Sequence, residues 1–110
     1  MRMTADDAST ALLRALGRHF GGFAGLFRVG ELTSRNWASV TFSGARHTVA
    51  FSLEGEGAGA AADAFIGGMA EAEFDLRGHI VADITLAGDE RSAEGHRVDL
   101  RIEALTVEDN

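Results

Sequence analysis

The chain has 110 residues, 45% of them hydrophobic and 25% charged, with a formal net charge of -7 and a pI near 4.9. That length predicts one domain, residues 1–110, with one modest core. The acidic balance argues against nucleic acid or an anionic membrane as partner, since both need a basic footprint. Cys is absent and all ten basic residues are Arg, so disulfides, thiolate metal sites, Schiff-base chemistry and the phosphate-loop lysine are excluded.

The first seven residues, Met1 to Asp7, carry no apolar stretch of the kind a signal peptide needs, and no apolar run reaches membrane-spanning length. The default expectation is a cytoplasmic bacterial protein. A first helix is expected from Thr4, which with Asp7 makes a capping-box-like start; Asp6 and Asp7 suit the positive end of the helix dipole. Leu12, Leu13, Leu16, Phe20 and Phe23 recur at helical spacing as one apolar stripe, and Gly21-Gly22 end it. Phe27 and Val29 alternate with Arg28 and Gly30, which predicts a short first strand. A second strand is expected over Asn36–Gly44, with Ala38, Val40 and Phe42 facing inward and Trp37, Ser39 and Thr41 outward. A turn at Ser43–Arg46 then leads to a third strand with Val49, Phe51 and Leu53 inward. Gly55 to Gly59 breaks the pattern. A second helix is expected from Ala58 to Ala72, with Ala58, Ala62, Phe65, Ile66 and Met69 as its stripe.

The last third reads as a long amphipathic β-hairpin. Leu76, Gly78, Ile80, Ala82, Ile84 and Leu86 alternate, and after a polar loop so do Val98, Leu100, Ile102 and Ala104. Past Ala104 the apolar positions move by one, to Leu105 and Val107, which then point away from the core. Pairing Leu86 with Val98 sets Asp83 beside Arg101 as a cross-strand ion pair, and gathers Val81, Leu105 and Val107 at one end of the outer face, with Trp37 nearby. A β-bulge at Ala104 is the competing reading, because it returns Leu105 and Val107 to the core. The expected architecture is α+β: a single-layer, mainly antiparallel five-stranded sheet with two helices packed on one face, in the order α-β-β-β-α-β-β.

Motifs that carry chemistry are sparse. Gly55-Glu56-Gly57-Ala58-Gly59-Ala60 partly fits the dinucleotide-binding glycine pattern, with Asp75 at the spacing of a ribose-binding acid. Glu54 and Glu56 flank it with negative charge, and the strand after the helix alternates, so a plain connector is the preferred reading. His19, His47, His79 and His96 read as solvated surface residues, since no third metal ligand is placed beside any pair. No G-x-S-x-G occurs. No catalytic residue, cofactor or metal is therefore expected.

The functional expectation is a small acidic interaction module, homodimeric through Trp37, Val81, Leu105 and Val107, with another protein as a further partner class. The element order is similar to that of small acidic secretion chaperones, and that resemblance of layout implies a dimer holding extended segments of partner proteins. A second reading is a small-molecule binder or enzyme with a pocket between helices and sheet, using Arg28, Arg77, His79 and Asp83.

Overall fold

The computed structural model describes residues 5–69, 74, 76 and 78–108, with residues 5–7 described by backbone alone. Along them run α1 (Ala5–His19), β1 (Leu26–Ala38), β2 (Ser43–Glu54), α2 (Ala58–Gly68), β3 (His79–Arg91) and β4 (Arg97–Glu108). The helix stripes form where the spacing placed them. Leu12, Leu16 and Phe20 of the first are buried and Leu13 and Phe23 pack against them; Ala58, Ala62, Phe65 and Met69 of the second are buried, with Ile66 beside them. Arg18 and His19 close α1 at the negative end of its dipole. Thr4, the expected cap, lies outside the described residues, as do the side chains of Asp6 and Asp7. The second helix stops at Gly68, so Gly67-Gly68 end it, and the expected extension over 70–72 lies outside the described residues.

Among the described residues the sheet has four antiparallel strands in the order β1-β2-β4-β3, not the expected five. The two separate strands expected before Gly44 are one strand of 13 residues. Its alternation is broken by a bulge between Val29 and Glu31, which shifts the phase by one and made a continuous strand look like two. The turn also comes earlier than Ser43–Arg46. Ser39 N donates to the Phe42 carbonyl at 2.7 Å, and Phe42 N donates to Ser39 Oγ at 3.1 Å. Val40 and Phe42 therefore lie in an exposed turn, 103% and 59% accessible, instead of facing a core.

The closing hairpin has a different register from the one expected. Leu86 faces Ile102 rather than Val98, and Val98 faces Arg91. Asp89, Glu90 and Arg91 look like loop residues but continue β3, because its polar positions need no burial. The loop is then short: Ser92 N donates to the Arg97 carbonyl at 3.0 Å, Arg97 N to Ser92 Oγ at 3.1 Å, and Gly95 turns with φ 75. Bulges between Val81 and Asp83 and between Leu86 and Gly88 adjust the rest of β3. Asp83 consequently faces Leu105, not Arg101.

Both helices pack on the face of the sheet that carries Val49, Phe51, Leu53, Val98, Leu100 and Ile102, and these side chains form one buried cluster with the helix stripes. This is the inner face. Phe20, Phe27, Phe51 and Phe65 meet at its centre, with ring centroids 5.2 to 5.9 Å apart. The opposite, outer face lies under no described helix. No helix among the described residues is long and apolar enough to cross a membrane.

Candidate functional site

On the outer face the strand register sets Trp37, Gly44, Val107 and Ile80 in one row across all four strands. Ile80 is 51% exposed, while Trp37 and Val107 are half-buried. Only glycine fits at position 44, since a Cβ there would run into the Thr106–Val107 backbone. The row thus has a bare backbone between Trp37 and Val107. Trp37 Nε1 is buried without a hydrogen-bond partner among the described residues.

The next row holds Arg35, Arg46, Leu105 and Asp83, and the one after it Thr33, Thr48, Glu103 and Thr85. Together they line a shallow groove of about 380 Å³. Arg35 and Arg46 stand directly opposite each other, an unfavourable like-charge pairing, and neither has an ion pair with a described carboxylate. Further along, the charges neutralise one another: Arg97 pairs with Asp99 at 3.0 Å and with Glu54, and Arg101 lies 4.0 Å from Glu31.

Of the expected contact residues, Leu105 and Val107 do face outward. The buried alternation of Val98, Leu100, Ile102 and Ala104 continues unbroken to Thr106, so β4 contains no bulge. Val81 does not join them. The bulge after it turns it to the inner face opposite Thr106, and its neighbour Ile80 takes the outer position. The alternative ligand group is not brought together. Arg28 faces Ser52 near the far end of β1, Asp83 lies across the sheet on β3, and His79 is buried on the inner face opposite Glu108. Arg77 lies outside the described residues.

The glycine segment is a connector. Gly55 and Gly57 adopt φ 128 and 87, α2 opens without a side-chain cap, and the strand after it pairs antiparallel. That geometry is not a parallel dinucleotide unit. Asp75, its acid at the ribose spacing, lies outside the described residues.

The residues that sequence reasoning missed lie on the inner face, at the end away from the phenylalanines. His47, 1% exposed, faces Ser34 across β1–β2, with Nδ1 2.6 Å from Ser34 Oγ and 3.3 Å from Ser9 Oγ. Its Nε2 lies 2.9 Å from Thr106 Oγ1. Burial pushes the His47 imidazole below its usual range, and the neighbouring His79 lowers it further. His79 itself is 6% exposed, and neither ring nitrogen has a hydrogen-bond partner among the described residues. A signal for this cluster was present: His47 is in phase with Val49, Phe51 and Leu53, and Thr106 with Ile102 and Ala104. The polar side chains masked the alternation. His19 also differs from a solvated residue in that its ring meets those of Phe20 and Phe65 at 5.1 Å. Among the described residues, no three His, Asp or Glu side chains converge to hold a metal ion.

No family model matches the chain, and no curated protein and no solved structure matches it. The likeness to secretion chaperones rested on three strands between the helices, and the structure has two there.

Proposed function

We propose that this protein is a small acidic interaction module that pairs with a second copy of itself through the outer sheet face. The observation that carries this reading is the apolar end of that face. Trp37, Val107 and Ile80 form one row with Leu105 beside it, and no described helix covers them. Large apolar groups ringed by Arg and carboxylates have the core-and-rim composition of an association surface.

The charges favour a second copy over other partners. Beside the apolar row the β1–β2 side carries Arg35 and Arg46, and the β4–β3 side carries Asp83 and Glu103. A two-fold axis along the strands, between β2 and β4, lays one copy's basic side on the other's acidic side and apolar row on apolar row. A twofold interface requires such self-complementarity. It also supplies the carboxylates that Arg35 and Arg46 lack among the described residues.

Sedimentation equilibrium tests this. The wild type should run at twice the 11.6 kDa chain mass. Leu105→Glu should give a folded monomer, and the Arg35→Asp defect should be repaired by Asp83→Arg, which that axis sets opposite it. A monomeric wild type would overturn the reading. The groove of about 380 Å³ favours a second one, a small anionic ligand held by Arg35 and Arg46. A monomer whose melting temperature rises with a small dicarboxylate would select it.

A further inference from the structure

The polar end of the inner face contains a directed chain of hydrogen bonds, and we infer that it makes Ser34 a nucleophile with His47 as its general base. The chain can be oriented atom by atom. Thr106 Oγ1 lies 3.4 Å from the Ala45 carbonyl, which can only accept, so the Thr106 hydroxyl proton points there. The same Thr106 oxygen then accepts from His47 Nε2–H at 2.9 Å. With its proton on Nε2, a neutral His47 presents a lone pair at Nδ1. Ser34 Oγ is the nearer hydroxyl, at 2.6 Å against 3.3 Å for Ser9, so Ser34 donates to Nδ1. Ser9, 2.6 Å from Ser34 Oγ, in turn donates to that oxygen.

Three features distinguish this from a polar cluster that only fills space. The base is buried and held neutral, which keeps its lone pair available at neutral pH. The base is oriented by a third group, Thr106, fully buried at 0% exposure. The base is joined to an exposed residue, since Ser34 lies on the edge strand β1 rather than in the interior.

The chemistry this supports is acyl transfer from esters with good leaving groups. Ser34 Oγ attacks the carbonyl carbon as its proton moves to His47 Nδ1. The tetrahedral adduct collapses with loss of the leaving alkoxide or phenolate, which takes up that proton or leaves it to solvent. An acyl group remains on Ser34. Water then attacks the ester, giving its proton to His47, and Ser34 Oγ departs with a proton as the acid is released.

The test uses the full chain and p-nitrophenyl acetate. The expected result is a burst of one nitrophenolate per chain and an acetyl group on Ser34 by peptide mass spectrometry, absent in Ser34→Ala. His47→Gln should slow acylation by about a hundredfold or more. The acylation rate should rise with pH to a plateau, with its midpoint below the ordinary histidine value of 6.5. No burst, an acetyl group on another residue, or a rate that climbs with hydroxide without a plateau would overturn the assignment. So would an unchanged rate in a folded His47→Gln. Should that variant fail to fold, the pH profile and Ser34→Ala decide. The site lies on the inner face, so the result does not depend on whether the chain is a dimer.

Discussion

The two faces of this sheet are made by the same strands and obey different rules. Along β4, Val98, Leu100, Ile102, Ala104 and Thr106 are at most 4% exposed, while Arg101 and Glu103 between them, and Arg97 before them, are exposed. On the inner face a polar group left without a partner is costly; His47 has one at each ring nitrogen, while His79 has none among the described residues. On the outer face Arg35 and Arg46 can stand opposite each other because water solvates them. Burial under the helices therefore turns polar residues into a structural commitment, whereas the open face leaves them available to a partner.

The sharpest way to break the contrast is at the aromatic centre. Phe65 is 1% exposed and its ring meets those of Phe20, Phe51 and His19, so Phe65→Ala should cost about 3–5 kcal/mol by urea denaturation. Next comes the polar end. His47→Leu removes the partner of the Ser34 hydroxyl and of the buried Thr106 hydroxyl and should cost about 1–3 kcal/mol. It should also flatten the acid limb of the stability curve. Folding lowers the pKa of His47, so between that lowered value and 6.5 the unfolded chain binds the extra proton. The contribution is complete above 6.5 and is lost as pH falls, at up to about 1.4 kcal/mol per pH unit. Denaturation of wild type and His47→Leu at pH 5 and pH 7 measures the difference. The smallest effect belongs to the outer face. Arg101 is half-exposed and 4.0 Å from Glu31, so Arg101→Ala should change stability by less than about 0.5 kcal/mol. A loss as large as that of His47→Leu would mean the outer face is more deeply buried than one chain makes it.

Much of the inner face was legible because its cause is local. A helix repeats every 3.6 residues and a strand every two, so Leu12, Leu16 and Phe20, and Val49, Phe51 and Leu53, declared their shared sides. What the pattern hid was every place where an extra residue enters a strand. The bulge before Glu31 divided β1 into two apparent strands, and the bulge after Val81 exchanged that residue with Ile80 at the outer patch. His47 and Ser34 were hidden for another reason. Polarity reads as exposure, and only their cross-strand pairing reveals that they satisfy each other.

By itself the sequence determined the α+β class, both helices with their buried stripes and the alternation of β2 and β4, while it left the direction of Leu105 and Val107 open between an outer patch and a bulge that the unbroken register of β4 excludes. These follow from backbone periodicity, which each residue imposes on its near neighbours. The tertiary structure alone decided that the sheet has four strands, that Trp37, Gly44, Val107 and Ile80 share a row, and that Ser9, Ser34, His47 and Thr106 meet. Those depend on register between segments up to 65 residues apart, as in the Ser43–Glu108 hydrogen bond. A one-residue slip moves every side chain to the other face, and only the packed whole selects among the slips.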